Sequence, residues 1–213
     1  CGGVVDKPVS LESMEASLSV DNVWSVDTGR GNDGQYLMLE PLVESGQLIT
    51  VDINGEVAAW KSDNGKQGWQ TDLDVRITAG VGGGLGKAVV GTSEGELIAL
   101  DTDSGELVWR KTLGGQVLSV SAADSGLVAV RLGGGKVNGV ALDTGAVVWE
   151  FAREQPALSL QGQAKPYPVH GGVALGMDDG SLVMLQMRTG NPIWEAVLAS
   201  GRGRTELERL VDV

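Results

Sequence analysis

Short apolar runs alternate with glycine-containing turns along most of the chain. Four of these runs lead into a turn rich in Asp, Asn, Ser or Thr and then into a second strand-like segment; they are EVAAW, ELIAL, NGVAL and SLVML. Such polar side chains hydrogen-bond to the backbone of a turn, and the glycine that follows tolerates a positive φ angle. The pattern therefore predicts four β-hairpins.

A tryptophan lies at a fixed distance beyond each of these turns. The four tryptophans follow one another at intervals of 40, 40 and 45 residues, and each lies four residues after a glycine. The pairs are Gly65 with Trp69, Gly105 with Trp109, Gly145 with Trp149 and Gly190 with Trp194. A plain β-sandwich core would not require a fixed spacing from glycine to tryptophan, so the spacing favours a structural repeat.

Another strand-like segment precedes each hairpin, so that every repeat holds three or four strands. These segments are GQLITVD, KAVVGT, GLVAVRL and GGVALGM. A unit of about 40 residues with four strands is typical of a β-propeller blade, which must stack on its neighbours to bury both faces. We predict an all-β fold, a β-propeller of four-stranded antiparallel blades. Each tryptophan is expected to pack on the adjacent blade while its indole N–H donates to a backbone carbonyl.

The repeat also predicts how the chain is divided. Residues 1–19 form a polar tether and residues 20–213 a partial propeller. Its blades are expected at about 34–72, 74–112, 114–152 and 165–198, with a fifth beginning at about 205. Trp24, in VDNVWSV, resembles the last strand of a blade that has no preceding strands, so we assign it to the closing blade of the ring. A complete ring at this period needs about 300 to 350 residues, which indicates an N-terminal part with four to five of eight expected blades.

Composition and charge narrow the function classes. The 33 glycines and scarce Phe and Tyr suit short strands joined by tight turns. The net charge of −12 repels nucleic acid and anionic lipid, so we expect no nucleic-acid partner. The sequence holds no run of 18 apolar residues.

The single cysteine, Cys1, excludes an internal disulfide and a cysteine-based metal cluster. Cys1, Gly2, Gly3 and the polar stretch behind them look like the start of a mature bacterial lipoprotein. That resemblance implies a lipid on the Cys1 thiol and, with Gly2 rather than Asp in second place, sorting to the outer membrane. The alternative is that residue 1 is an arbitrary boundary.

Several spans resemble catalytic or binding motifs, and each departs from its motif. Gly29, Gly31 and Gly34 fit G-x-G-x-x-G, but no helix-like segment follows to receive a pyrophosphate. VGGGLGKA resembles a phosphate-binding loop but has Val and Ala where Gly and Ser or Thr belong. Asp101 and Asp103 lie as in a calcium loop, with the following glycine one residue early. His170 is the only histidine. We expect no catalytic residue, cofactor or metal ion.

The words LDTGAVVW and ALDTDSGELVW resemble the A-L-D-x-x-T-G-x-x-x-W repeat of quinoprotein-type propellers. Two families share that repeat: the quinone-dependent dehydrogenases, which are enzymes, and the BamB family, which is not enzymatic. The dehydrogenases typically carry a tryptophan floor beneath the quinone, calcium-binding carboxylates and often a disulfide between adjacent cysteines. A single cysteine therefore favours the BamB family.

Two segments outside the repeat carry a closer resemblance to that family, namely PALSLQGQAKP and TELERLVDV. The resemblance implies a non-catalytic lipoprotein on the periplasmic face of the outer membrane. It also implies that these segments bind the POTRA domains of BamA and that the protein assists nascent outer-membrane proteins. By position the binding residues are Leu158, Leu160, Gln161 and Asp212. Gln161 stands where the family usually has Arg.

The first of these segments lies in a 14-residue insertion, residues 153–166, which is unusually apolar for an exposed connection. Its two leucines are spaced for one face of an extended segment. They suit a small apolar anchor for a partner, and the alternative is a loop that packs on the body of the protein. Two other functions remain open: a fragment of a quinone-dependent dehydrogenase, and a periplasmic ligand-binding propeller with a different partner.

Overall fold

The computed structural model describes residues 18–153 and 164–198. Four predicted site residues and the proposed lipidation site lie outside these ranges: Leu158, Leu160, Gln161, Asp212 and Cys1. Residues 1–17 of the predicted tether (1–19) and the predicted start of a fifth blade at about 205 also lie outside them. No helix among the described residues is long and apolar enough to cross a membrane.

The described chain is built from strands. In chain order they are β1 (Met38–Leu39), β2 (Leu42–Glu44), β3 (Gln47–Val51), β4 (Glu56–Lys61), β5 (Gln67–Asp72), β6 (Ile77–Gly84), β7 (Lys87–Thr92), β8 (Glu96–Asp101), β9 (Leu107–Thr112), β10 (Val117–Val120), β11 (Leu127–Leu132), β12 (Lys136–Ala141), β13 (Val147–Ala152), β14 (Tyr167–Val169), β15 (Gly172–Gly176), β16 (Ser181–Gln186) and β17 (Pro192–Val197).

Consecutive strands pair in antiparallel fashion to form four sheets, which we call blades 1 to 4. They comprise β2–β5, β6–β9, β10–β13 and β14–β17. The all-β fold class, a partial propeller of four-stranded antiparallel blades, is confirmed. The sequence did not predict β1, which adds to the inner strand of blade 2 in parallel, with Met38 opposite Ala79. The first strand of blade 1 begins at Leu42, and Met38 and Leu39 before it pair with blade 2.

The first hairpin of every blade closes with the same two-residue turn. Its first residue has a positive φ of 48° to 55°, and the glycine behind it one of 75° to 85°. The four first residues are Ser45, Leu85, Ser125 and His170. Two positive φ angles match the right-handed twist of a hairpin. His170 thus lies in the turn between β14 and β15.

The hydrophobic core lies between the blades. One buried cluster joins blades 1 and 2 through residues such as Ile49 and Ile98, and a second joins blades 2 and 3 through Leu97 and Val130. A third joins blades 3 and 4 and includes Trp149 and Leu185. Each blade is therefore stabilised mainly by its neighbours, as expected for a stack in which no sheet buries both faces alone.

The inner strands of neighbouring blades touch through their backbones. Gly83 N donates to Ser121 O at 2.9 Å, and Ala123 N donates to Gly83 O at 2.7 Å. A side chain would prevent this approach, since a Cβ on Gly82 would come within 2.5 Å of Val120 Cγ1. The glycine-rich run in β6 therefore serves close packing around the propeller axis.

Candidate partner-binding site

The repeat tryptophans join each blade to the next. The indole Nε1 of Trp69 donates to Thr102 O at 2.9 Å, that of Trp109 to Leu142 O at 2.9 Å, and that of Trp149 to Met187 O at 2.7 Å. Every acceptor lies in the last turn of the following blade. This is the blade-to-blade docking, with a backbone acceptor, that the sequence predicts.

The repeat glycines lie under these rings. A Cβ built on Gly105 would approach Trp69 Cε3 to 2.4 Å, and one on Gly190 would approach Trp149 Cδ2 to 2.7 Å. Gly145 faces Trp109 in the same way, at 2.8 Å from Cε3. The fixed spacing therefore has a physical origin: each turn must lack a side chain where the tryptophan of the previous blade covers it.

The two outermost tryptophans differ from the rest. Trp24 donates to Ser62 O at 2.9 Å and lies over Gly65, so it docks on blade 1 as the repeat tryptophans dock on later blades. No strand includes Trp24, because no described segment pairs with it; its place in a closing blade remains a prediction. At the other end Trp194 is 43% exposed, and Met184 lies opposite it, where blades 1 to 3 have Ala or Gly.

The motif-like spans are parts of turns. Residues 29–34 form turns, and the Gly84-to-Lys87 segment closes the hairpin of β6 and β7. The Asp101 carboxylate accepts the backbone N–H groups of Ser104 and Asp103 and the Ser104 hydroxyl. The hydrogen bonds from Ser104 hold the pKa of Asp101 below its ordinary value. Over residues 18–153 and 164–198, no group of three or more His, Cys, Asp and Glu side chains is placed to hold a metal ion.

Blade 3 ends at the start of the insertion, where Arg153 reaches into blade 4. One guanidinium nitrogen donates to Ser181 Oγ at 2.9 Å and lies 3.2 Å from Asp179 Oδ2, and the other lies 2.6 Å from Glu195 Oε1. The hydrogen bond to Glu195 raises the pKa of Arg153. For Asp179, burial raises the pKa, but hydrogen bonds from Ser181 and the charge of Arg153 outweigh it and hold the pKa below its ordinary value.

The chain re-enters the described structure at Ala164 and Lys165, the start of blade 4. Lys165 Nζ lies 2.8 Å from Glu40 Oε2, although the two residues are 125 positions apart. Glu40 lies between β1 and β2, and its backbone is itself fixed to β6: Glu40 N donates to Gly80 O at 2.7 Å, and Val81 N donates to Glu40 O at 2.6 Å. The entry to blade 4 is thus tied to the junction of blades 1 and 2.

The structure therefore fixes both flanks of the insertion that carries the predicted partner residues. Sequence reasoning identified the insertion but missed Arg153, Lys165 and Glu40 as its supports. Their charges were visible in the sequence. Their partners were not, because each partner belongs to another blade.

A family model described as "Outer membrane protein assembly factor BamB" matches residues 53–213. A protein of that name from Alkalilimnicola ehrlichii is 51% identical over 213 residues, which are 100% of this chain and 55% of that protein. Another from Pseudomonas aeruginosa is 51% identical over 207 residues, with 97% of this chain and 54% of that protein covered.

Among solved structures, BamB from Moraxella catarrhalis matches with a TM-score of 0.72 and 30% sequence identity. The match covers 82% of this chain and 52% of that one. The chain spans about half the length of the curated relatives that it matches.

Proposed function

The chain belongs to the BamB family of outer membrane protein assembly factors, and from that membership we propose that it is a non-catalytic scaffold that binds BamA. In this role it holds the periplasmic POTRA domains of BamA and assists the assembly and insertion of β-barrel proteins into the outer membrane. Nascent β-barrel proteins are the clients of the complex that it supports.

The scaffold is attached to the periplasmic face of the outer membrane by a lipid on Cys1. A net charge of −12 opposes adsorption to anionic headgroups, so we attribute the attachment to the lipid rather than to the charge of the protein surface. A lipid supplies the binding energy that the protein surface does not, at about 0.8 kcal/mol for each buried methylene group.

The observation that carries the proposal is the insertion between blades 3 and 4, which is held at both flanks by contacts to other blades. In our proposal Leu158 and Leu160 supply a small apolar anchor within it, and Gln161 follows Leu160 in the sequence. Asp212, in the segment TELERLVDV, supplies a charged contact. Apolar anchors surrounded by polar groups are typical of the energetic centre of a protein interface.

Three carboxylates support a non-catalytic role, since each is occupied in hydrogen bonds that hold the fold. Asp101 binds its own turn, and Asp52, 4% exposed, accepts the backbone N–H groups of Arg30, Asn54 and Glu56. Asp179 is engaged by Ser181 and Arg153. Groups held in this way are acceptors within turns rather than acids or bases aimed at a substrate.

A binding titration against the purified periplasmic domains of BamA tests the proposal. Saturable binding is expected for the wild-type chain, together with at least a tenfold loss of affinity for Leu160→Asp, the range seen when an interface anchor is removed. Leu85→Asp is the matched control. Leu85 is 65% exposed and lies in the turn between β6 and β7. This turn is at the end of the blades opposite to Arg153 and Lys165, so the same substitution there is expected to leave the affinity for BamA unchanged.

Circular dichroism and the melting temperature establish that both variants are folded. No binding by a folded wild-type chain, or equal affinities for the two leucine variants, would contradict the proposal.

A further inference from the structure

Three asparagines in the chain are followed directly by a glycine: Asn54, Asn64 and Asn138. In such a pair the glycine nitrogen can attack the asparagine Cγ, because glycine has no side chain to hinder the approach. The attack closes a five-membered succinimide ring, and the side-chain amide leaves as ammonia with the proton of the glycine N–H. Water then opens the ring to aspartate or to isoaspartate, in which the backbone runs through the former side chain.

The reaction requires an asparagine side chain that can turn toward the glycine nitrogen and a glycine N–H that is not firmly held. Asn138 lies within β12 and is 2% exposed. The glycine behind it, Gly139, is paired on both sides, with Ala129 in β11 and with Trp149 in β13. This pair is therefore protected inside blade 3.

Asn64 is exposed, but both reacting groups of its pair are engaged. Asn64 Oδ1 accepts the backbone N–H of Lys66 at 2.9 Å. Gly65 N donates to Lys61 O at 2.8 Å, and the ring of Trp24 covers this glycine. Two short hydrogen bonds must open before the glycine nitrogen reaches the side chain, so the reaction at this pair is slowed.

Asn54 is held less firmly than the other two. It is exposed in the turn between β3 and β4, and over residues 18–153 and 164–198 its side chain has no hydrogen-bond partner. The N–H of Gly55 donates to Asp52 O at 3.2 Å, which is at the long end of the range for such a bond. The amide of Asn54 is therefore free to rotate, and one weak hydrogen bond opposes the attack.

We infer that Asn54 is a site of spontaneous deamidation. The change consumes one water molecule and releases one ammonia molecule, and it replaces a neutral amide by a carboxylate. Where isoaspartate forms, it also inserts one extra carbon into the backbone of the turn. This inference goes beyond the proposed function and does not depend on it.

The turn that carries Asn54 is a junction of the fold. Ile53 N donates to Gly31 O at 2.8 Å, and Ile77 N donates to Ile53 O at 3.0 Å. Leu73 N donates to Gly55 O at 3.0 Å. These hydrogen bonds tie the turn to the segment before β1 and to the connection between blades 1 and 2.

The junction has little space for a longer backbone, since a Cβ on Gly55 would lie 2.7 Å from Val75 O. The new carboxylate would also share its turn with Asp52, whose Oδ1 accepts the N–H of residue 54 at 2.9 Å. Two like charges in one turn repel each other. Isoaspartate at position 54 is therefore expected to weaken the junction and to lower the melting temperature.

Incubation of the 213-residue chain at mildly alkaline pH, followed by peptide mapping with mass spectrometry, tests the inference. In the native chain Asn54 is expected to react roughly five- to tenfold faster than Asn64, the ratio that corresponds to one further hydrogen bond at Asn64. Asn138 is expected to stay intact. In urea, where these contacts are absent, the three pairs are expected to react at similar rates.

Equal rates at the three pairs in the native chain would show that the reaction proceeds through global unfolding, and this result would overturn the inference. An Asn54 that stays intact in the native chain while the sample in urea reacts would overturn it as well.

Asn54→Gln is the matched control for the effect on stability, because glutamine must close a six-membered ring and reacts more slowly. Residue 54 has no positive φ, so glutamine fits the turn. After equal incubation the melting temperature of the wild type is expected to fall, while that of Asn54→Gln is retained. An equal fall in both chains would contradict the role given to this turn.

Discussion

The ring of Trp69 covers Gly105 so closely that a Cβ at that glycine would lie 2.4 Å from Cε3 of the indole. The same indole donates to Thr102 O, three residues before the glycine. One side chain therefore both packs on and hydrogen-bonds to the last turn of the next blade. Repetition of this contact at Trp109 and Trp149 turns four separate sheets into one stack.

Gly105→Ala is expected to destabilise the protein by more than backbone strain explains. Gly105 has a φ of +73°, and the added methyl group would also clash with Trp69 and with Thr71 Oγ1. Gly114→Ala is the matched control, in the connection from blade 2 to blade 3, with a φ of +78° and nothing within 4 Å of the new Cβ. Both variants carry the cost of a left-handed backbone, about 1 kcal/mol, and Gly105→Ala adds about 1–3 kcal/mol for overpacking.

Urea unfolding measures the difference between these two variants. Equal free energies of unfolding for Gly105→Ala and Gly114→Ala would mean that the ring does not require the glycine, which would contradict the packing described for the repeat.

Trp109→Phe is expected to destabilise the chain by about 1–3 kcal/mol, because it removes a hydrogen bond from a buried environment and leaves the Leu142 carbonyl without that donor. Trp109 is 9% exposed, whereas Trp194 is 43% exposed. Trp194→Phe in the same 213-residue chain is therefore expected to change the free energy of unfolding by only about 0.5 kcal/mol. Thermal and urea unfolding measure both losses. Equal losses of unfolding free energy in the two variants would contradict this assignment.

The repeat was predictable from the sequence because its chemistry is local. Gly65 lies in the turn of a hairpin, and Trp69 lies in the strand that follows this turn. The need for a glycine in the turn and for a tryptophan in the strand therefore appears in the sequence as a fixed spacing. The blade as a unit follows from the same spacing. The hydrogen bond from each indole N–H to a backbone carbonyl was also predictable, since a buried indole N–H must find an acceptor.

The supports of the insertion were not predictable, because their partners are distant in sequence. Arg153 meets Glu195 across 42 residues, and Lys165 meets Glu40 across 125. No local pattern specifies which of the 28 acidic residues a given cation will meet. The parallel pairing of β1 with β6 was missed for a related reason, since two residues are too few to show a strand period.

The lowered pKa of Asp179 gives a prediction in acid. Burial opposes its ionisation, and the hydrogen bonds from Ser181 and the charge of Arg153 more than offset this. A carboxylate whose pKa is lowered on folding stabilises the protein above the ordinary aspartate pKa of about 4. That stabilisation is lost as the pH falls through the lowered value. The Arg153 contact is therefore expected to persist at neutral pH and to weaken only in acid.

An NMR titration of the Asp179 carboxyl carbon checks this prediction. Its midpoint is expected below the ordinary aspartate value, and both Ser181→Ala and Arg153→Ala are expected to raise it. A midpoint for Asp179 that neither substitution moves would contradict the assigned causes.

The central claim is that the protein supports assembly of β-barrel proteins in the outer membrane, and its most direct test is made in cells that lack the gene. The amounts of folded outer-membrane β-barrel proteins are expected to fall on deletion, to recover with the complete wild-type gene and with Leu85→Asp, and to stay low with Leu160→Asp. Unchanged β-barrel protein levels in the deletion strain would contradict the claim and would favour a periplasmic propeller with another partner.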